Sequence, residues 1–277
     1  MSSKQAYMVI DVALCFDCNN CFMACKDEHV DNNWLPYTTE QPRHGHKWID
    51  IRMKERGQYP RIDVAYLPVI CQHCENAACE KTYPNLVKRL ENGIVLFNNS
   101  AIPDAEAITE VCPFHAIYWN NEKNIPQKCT MCAHILECGQ EPGMPRCAHS
   151  CPTEAIKFFE LEPEKMMEMI EQDELKELCP ELNVKPHVFY KNLYRYNDAF
   201  ISGELLFNGE CAEGISVFIK GTTESGEKIE EQTTTDCFGE FKFDSLKPGD
   251  YTVRTQKKVL KEVSIKESQN IGVFDLI

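Results

Sequence analysis

The chain has 277 residues, 43% of them hydrophobic, and a formal net charge of −14 at pH 7. This acidic balance argues against nucleic acid and against an anionic membrane surface as main partners, because both repel a chain of the same sign. No apolar run of about 18 residues is present, so the sequence predicts no direct insertion into a membrane.

The N-terminal residues Met1–Tyr7 are polar and contain neither an apolar signal segment nor a twin-arginine pair. Nothing in the sequence therefore directs export, and we expect a cytoplasmic protein, while export together with a signal-bearing partner stays open. Disulfides are disfavoured in a reducing cytosol, yet the chain has 16 cysteines. We therefore expect them to ligate a metal or a cluster, and their spacing decides which.

The first predicted strand, Tyr7–Leu14, leads directly into a run of four cysteines, Cys15-x2-Cys18-x2-Cys21-x3-Cys25. This spacing is typical of ferredoxins. A tight loop can wrap the first three thiolates around one [4Fe–4S] cluster, whereas the fourth cysteine of such a run serves the other cluster. We therefore expect Cys25 to bind a different cluster from its three neighbours.

A second run, Cys71-x2-Cys74-x4-Cys79, supplies three ligands, but Tyr83 occupies its fourth position. The complementary run ends in Cys112-Pro113, and its first three positions at ferredoxin spacing are not cysteine but Ile102, Ala105 and Ile108. All four missing ligands would have served one cluster. The sequence therefore predicts a four-cluster scaffold in which one cluster is absent and its site is packed by side chains.

The last run, Cys129-x2-Cys132-x14-Cys147-x3-Cys151, is followed by Pro152. Exchange of the fourth ligands between runs gives three complete sets for three [4Fe–4S] clusters. The predicted sets are Cys15, Cys18, Cys21 and Cys151 for the first cluster; Cys25, Cys129, Cys132 and Cys147 for the second; and Cys71, Cys74, Cys79 and Cys112 for the third. Because every set is complete, we expect no substrate-converting site in this chain.

Zinc is the main alternative metal for these cysteines, since Cys-x2-Cys pairs bind Zn²⁺ well. Runs of three closely spaced cysteines and a Cys-Pro pair are more typical of clusters, and a disulfide framework is a further alternative. Four cysteines have no partner spacing and are expected to be buried or free thiols: Cys138, Cys179, Cys211 and Cys237. Five histidines close to ligands in the sequence are expected to surround the clusters without ligating them: His29, His73, His115, His134 and His149.

The remaining elements define the predicted fold. Further short strands are expected at Ile94–Phe97, Ala116–Trp119 and Ala155–Phe159, and a helix at Glu162–Glu181. The helix carries an apolar stripe that we assign to packing and not to a cofactor: Met166, Met169, Ile170 and Leu178. After about Asn197–Ile201 the sequence changes to strands separated by turns, with predicted strands at Ser216–Lys220, Glu240–Phe243 and Tyr251–Thr255.

The predicted fold class is therefore α+β. It comprises two tandem ferredoxin-like modules with insertions over residues 1–198, and a small all-β sandwich over residues 199–277. In the sandwich, Gly239 and Gly249 are expected at turn positions with positive φ, and Tyr251 is expected to hydrogen-bond across a corner.

The cysteine runs and their flanks resemble the iron–sulfur subunits of molybdopterin oxidoreductases of the dimethyl sulfoxide reductase type. The resemblance covers about residues 6–195, and the segments that carry it are Cys15–Cys25, Leu67–Cys79, Cys112–Trp119, Lys128–Cys132, Pro145–Ile156 and Lys185–Tyr190. It implies a large partner subunit with a molybdenum bis-pterin cofactor, which this chain itself does not bind. Members typically hold four clusters, so the absent one departs from the family pattern.

The last 75 residues or so resemble transthyretin-like or carboxypeptidase-regulatory β-domains. The matching segments are Gly209–Val217, Thr235–Phe241 and Leu246–Val253. The resemblance implies a docking or stabilising module without chemistry of its own.

Three functions are compatible with this sequence. The leading one is an electron-transfer subunit of a molybdenum enzyme. The alternatives are a structural subunit whose clusters stabilise a loop-rich fold, and a free-standing polyferredoxin, which would leave the segments between Cys25 and Cys71 and between Cys112 and Cys129 without a role. We expect these two segments to face a partner.

Overall fold

The computed structural model describes residues 4–98, 105–139 and 141–276. The chain divides into two compact units. The first comprises residues up to Arg52 together with Tyr66–Leu193, and the second comprises Met53–Ala65 together with residues from Tyr194 onward. No pattern in the sequence indicates that Met53–Ala65 groups with the C-terminal region.

Short strands and helices joined by long loops make up the first unit. The hairpin of its second and third strands belongs partly to each unit. The strands and helices are β1 (Gln5–Asp11), α1 (Asn20–His29), β2 (Ile49–Gln58), β3 (Arg61–Ile70), α2 (Ala78–Thr82), β4 (Val87–Arg89), β5 (Val95–Phe97), β6 (Ile117–Asn120), β7 (Ile125–Lys128), α3 (Ala133–Glu137), α4 (Arg146–His149), β8 (Ile156–Leu161), α5 (Pro163–Gln172) and β9 (Val188–Lys191). Two 3-10 helices cover Ala105–Val111 and Pro180–Leu182.

A three-stranded sheet of order β8-β1-β9 supports the first cysteine run. Strand β1 pairs with β8 in the antiparallel and with β9 in the parallel direction. Helix α5 packs its stripe of Met166, Met169 and Ile170 against Tyr7, Phe189 and their neighbours in this sheet, which confirms the packing role of the stripe.

Helix α5 ends earlier than predicted, at Gln172 instead of Glu181. The reason is local: Glu174 adopts a left-handed backbone with φ 52°, and Leu175 turns back to donate its N–H to the Ile170 carbonyl. Lys176 then forms an isolated bridge with Tyr190 of β9. Leu178, predicted as part of the helical stripe, therefore lies outside the helix.

Strands dominate the second unit after the short helix α6 (Tyr194–Asn197). They are β10 (Ala199–Phe207), β11 (Glu210–Cys211), β12 (Ser216–Thr223), β13 (Lys228–Thr234), β14 (Glu240–Leu246), β15 (Gly249–Thr255), β16 (Val259–Ile265) and β17 (Gln269–Asp275). The three strands predicted here lie within β12, β14 and β15.

Two four-stranded sheets build the second unit: β10 with β11, β14 and β17, and a sheet of order β13-β12-β15-β16. Residues of both sheets form one core, which includes Ile201, Val217, Phe243 and Val253. Burial of such apolar side chains contributes about 25 cal/mol per Å² and holds the two sheets together.

Turn chemistry in this unit is as predicted at two of three positions. The Tyr251 hydroxyl donates to the Lys247 carbonyl at 2.7 Å, and Gly239 has φ 75°. The expectation for Gly249 is wrong, because its φ is not in the left-handed region. Glycine is needed there for space instead: a Cβ would lie 2.5 Å from the Thr222 carbonyl oxygen on the neighbouring strand β12.

A buried charge network ties Met53–Ala65 to strand β14 inside the second unit. The Arg56 side chain is 1% exposed and lies 2.7 Å from Asp63 and 2.9 Å from Asp244. Lys242 also binds both carboxylates. Burial opposes ionisation of Asp63, but the hydrogen bonds from Lys242 and Arg56 outweigh it and lower the pKa of Asp63 to about 2.

Within the part of the chain that the structure describes, no helix has the length and apolar character needed to cross a bilayer.

Candidate metal centres

Most predicted ligands lie in a loop that follows a strand or in the helix after that loop, whereas Cys112 follows a 3-10 helix and Cys151 follows α4. Several residues between ligands adopt left-handed backbone conformations, among them Asn19 (φ 60°), His73 (φ 46°) and Met131 (φ 51°). Alternation of right- and left-handed residues curls a loop so that successive N–H groups point into one concavity, a shape common at phosphate and iron–sulfur sites.

The second predicted set surrounds a cavity in the first unit. Its four cysteines come from α1, the loop after β7 and α4, and the cavity wall is completed by His29, Trp48 and Ile70. The four are Cys25, Cys129, Cys132 and Cys147. Residues far apart in sequence therefore line one cavity.

The third predicted set lines a separate cavity. Its walls include Val95, Phe114, Ile117 and Lys128, and its cysteines come from the loop after β3, from α2 and from the end of a 3-10 helix. They are Cys71, Cys74, Cys79 and Cys112. Strands β4 and β5 and a 3-10 helix separate Cys112 from Cys79 in the sequence, yet Cys112 lines the same cavity as the other three.

The first predicted set is brought together by the loop after β1, by α1 and by the residue that precedes Pro152. Cys21 interacts electrostatically with the three others of its set, Cys15, Cys18 and Cys151. Burial and these neighbours raise the pKa of Cys21 to about 12. Cys18 is exposed, so this set lies at the surface of the first unit.

The donors suit an iron–sulfur cluster better than a single ion. No three His, Cys, Asp or Glu side chains among residues 4–98, 105–139 and 141–276 lie close enough together to hold one metal ion. The thiols instead surround cavities, and backbone N–H groups point at them: Met131 donates to Cys129 Sγ at 3.3 Å, and Asp17 to Cys15. N–H groups directed at thiolate sulfur are a feature of cluster sites.

The raised pKa values of the ligand thiols also fit an iron–sulfur cluster. Burial foremost, and the neighbouring Cys71, raise the pKa of Cys129 to about 11, and burial foremost raises that of Cys132 to about 12. Four such thiols become thiolates only when a cationic centre offsets their charge. The chemistry of the residues therefore fits a cluster with a cationic iron core.

The three sets are adjacent in a fixed order. Cys147 of the second set interacts electrostatically with Cys21 of the first. Cys129 of the second set interacts with Cys71 of the third. The second set is therefore next to each of the other two.

The position of the absent fourth cluster is apolar where the structure describes it. Ile108 is fully buried and packs with Leu86, Phe97 and Ile117, and Tyr83 packs against the same group. Ile102 lies outside the described residues, and the side chain of Ala105 is not described either.

Two side chains from the segment after Cys25 contact ligand sulfurs of the second set. His29 Nε2 lies 3.9 Å from Cys132 Sγ, and Gln41 Nε2 lies 4.0 Å from Cys25 Sγ. Burial foremost, and the neighbouring His134, lower the pKa of His29 to about 3, so its ring is neutral at pH 7. Gln41 has no sequence signal, because it lies 16 residues from its cysteine.

The other histidines near ligands differ in role. His73 accepts the N–H of Val95 at 3.1 Å, and His134 lies 2.9 Å from a Glu28 carboxylate oxygen. His149 contacts Arg146, and His115 is exposed. Of the four cysteines without partner spacing, Cys179 is half-buried and the others are exposed; all four are free thiols.

Known proteins match this sequence along most of its length. The family model of the 4Fe-4S dicluster domain matches residues 62–161. The pyrogallol hydroxytransferase small subunit of Pelobacter acidigallici is 46% identical over 251 residues, 90% of each chain. The chain belongs to this family of electron-transferring iron–sulfur subunits.

More distant members extend the family to other enzymes. A tetrathionate reductase subunit of Salmonella typhimurium is 29% identical over 73% of this chain and 77% of its own. The thiosulfate reductase electron transfer subunit of Salmonella typhi is 32% identical over 62% and 85%. The first unit is thus a ferredoxin-type 4Fe-4S domain, followed by a mostly-β C-terminal region with few helices.

Proposed function

We propose that this chain holds three [4Fe–4S] clusters in a row and transfers electrons as the small subunit of a molybdenum bis-pterin enzyme. The proposed ligands are the three cysteine sets described above. The observation that carries the proposal is the adjacency of these sets, since cysteines of the second interact electrostatically with a cysteine of each of the others.

The clusters, when bound, supply one-electron storage. The chain would contribute four thiolates to each and curls the loops around them, and the cysteines of the second and third sets each line a cavity. Around the first set, Leu14, Phe16 and Met23 are 44%, 55% and 61% exposed. Exposed apolar side chains around a surface cluster suit contact with a redox partner. We therefore infer that electrons enter or leave at the first cluster.

The partner in this proposal is a large catalytic subunit in the cytoplasm. We propose trihydroxybenzenes as its substrates, with hydroxyl transfer from pyrogallol to phloroglucinol; the 46% identical relative is named as a pyrogallol hydroxytransferase subunit. That reaction has no net redox change, so this subunit would prime the redox state of the enzyme and not carry an electron in every turnover. This chain supplies no substrate-converting residue.

Two finer features of the fold belong to the same proposal. The cluster-binding part, residues 1–198, is taken as two tandem ferredoxin-like modules. The C-terminal part, residues 199–277, is taken as a transthyretin-like β-sandwich that docks or stabilises the complex. Its two sheets around a common core and the Tyr251 corner hydrogen bond support this class.

Anaerobic isolation of the native complex tests the proposal. We expect a molybdenum subunit to co-purify, reduction by dithionite to give an EPR signal of reduced clusters, and activity on pyrogallol. Isolation of the chain alone would contradict the partnership. A complex whose clusters give no reduced signal would favour the structural alternative, in which clusters only stabilise loops.

A further inference from the structure

Lys128 is a buried lysine between two cysteine sets. It is 3% exposed and is the last residue of β7, where it pairs with Ile117 of β6. Lysine is rarely buried to this degree unless it is paired. None of the carboxylates within the described ranges 4–98, 105–139 and 141–276 forms an ion pair with it, so its counter-charge lies elsewhere.

The direct partners of the ammonium group are neutral. Lys128 Nζ donates to the carbonyls of Val95 and Cys129, the latter at 3.1 Å. It also lies 5.3 Å from the centroid of the Phe97 ring, within cation–π range. These dipoles orient the group, but they carry no net charge to balance it.

The titratable neighbours of Lys128 are His73 and ligand cysteines of two sets. It interacts electrostatically with Cys79 and Cys112 of the third set and with Cys129 of the second. It also forms part of the wall of the third cavity. In the first set, Lys128 is not among the groups that shift the pKa values of Cys15 and Cys21.

A buried cation is tolerated when an opposite charge repays its lost hydration. Four thiolates around an iron–sulfur core give a net negative site, which gains one more negative charge on reduction. An ammonium group beside such a site therefore stabilises the reduced form more than the oxidised form, and low local dielectric strengthens the effect.

We propose that Lys128 is the shared counter-charge of the second and third clusters and raises the reduction potentials of both relative to the first. This inference rests on the proposed three-cluster arrangement. Each reduction adds one electron, and the positive charge of Lys128 also reduces repulsion between the two clusters when both are reduced.

The test is a potentiometric EPR titration of the purified complex with three variants. Lys128→Met removes the charge at similar length, Lys128→Gln keeps an N–H donor for the Val95 carbonyl, and Lys128→Arg keeps the charge. For Met and Gln we expect two of the three redox transitions to lose at least tenfold in reduction equilibrium constant, about 59 mV for one electron. The third transition should stay unchanged, and Arg should stay close to the wild type.

Lys26 provides a matched control. It follows Cys25 directly in sequence, as Lys128 precedes Cys129, but it is only half-buried and donates to the Pro42 carbonyl. Solvent and salt screen such a charge. In Lys26→Met we expect less than about a threefold change, and that change should shrink further at high salt.

Several results would overturn the inference. One is that, in Lys128 variants with full iron content, no transition shifts, only one shifts, or all three shift by the same amount. Another is that Lys26→Met shifts a potential as much as Lys128→Met does. Loss of iron in all three Lys128 variants, Arg included, would assign the residue to structure alone. Failure of the cluster proposal is visible separately, as a low iron content in the wild-type protein.

Discussion

The thiol of Cys129 interacts electrostatically with the thiol of Cys71, although the two cysteines belong to different predicted clusters. They follow different strands, β7 and β3, and each opens its own cysteine run. This relationship, with that between Cys147 and Cys21, places the second predicted set next to both of the others. A row of neighbouring sites is what stepwise electron transfer needs, and a set of isolated structural clusters does not require it.

The exchange of ligands between runs predicts which substitutions act on the same cluster. Cys25 lies in the first run but lines the cavity of the second set with Cys147. We expect Cys25→Ser and Cys147→Ser to remove the same EPR component and about four iron atoms per chain. Cys15→Ser should remove a different component.

Cys138→Ser is the control for these substitutions, because Cys138 is an exposed free thiol. It should leave iron content and spectra unchanged. If Cys25→Ser instead removes the component lost in Cys15→Ser, the first run holds one cluster by itself and the exchanged pairing is wrong.

The packed position of the absent cluster predicts a stability effect without a redox effect. Ile108 is fully buried among Leu86, Phe97 and Ile117, so Ile108→Ala leaves a cavity. We expect a loss of about 2–5 kcal/mol in the free energy of unfolding, measured by anaerobic urea denaturation. The exposed Leu182 is the control, and Leu182→Ala should cost less than about 0.5 kcal/mol. An equally small loss for Ile108→Ala would show that this region is not a packed core.

The ion pairs of buried Arg56 with Asp63 and Asp244 are expected to hold Met53–Ala65 against strand β14. Arg56→Met leaves Asp63 to Lys242 and Arg195, and Asp244 to Lys242, and removal of one partner from a buried pair typically costs about 3–5 kcal/mol. Hydrogen exchange should then rise in Met53–Ala65 and in β14. Arg61→Met is the matched control, because the pair of Arg61 with Glu240 is exposed and contributes at most about 1 kcal/mol. Equal protection in the two variants would contradict a structural role for Arg56.

The same network has a defined pH dependence. The pKa of Asp63 is lowered from 3.8 to about 2, so its stabilising contribution is fully present above pH 3.8 and is lost as pH falls toward 2. Protection of Met53–Ala65 against exchange should decrease over this window. Asp63→Asn should be less protected at neutral pH and should lose the acid-dependent part of the decrease.

The cysteine sets could be proposed from the sequence because the spacing within each run is covalent and the exchange of fourth ligands follows one rule, and their pairing stays a prediction. The start of α5 at Pro163 was predictable for the same local reason. Its end was not, because the left-handed Glu174 and the bridge between Lys176 and Tyr190 depend on strand β9, which was not among the predicted strands.

Long-range contacts explain what the sequence could not predict. Arg56 binds Asp244, 188 residues later, and no local pattern marks either residue. Gln41 and Trp48 lie in a segment expected to face a partner, yet both are buried beside the second set. Lys128 looks like an ordinary residue before a cysteine, and only the fold shows that it lies between two sites.

The central claim, three complete clusters and an absent fourth, is tested most directly by metal and acid-labile sulfide analysis of the anaerobically purified protein. Three sets of four cysteines predict about 12 iron and about 12 sulfide per chain, without zinc. A value near 16 would mean that the apolar site around Ile108 holds a cluster after all. A value near four or eight, or zinc in place of iron, would contradict the three-cluster account.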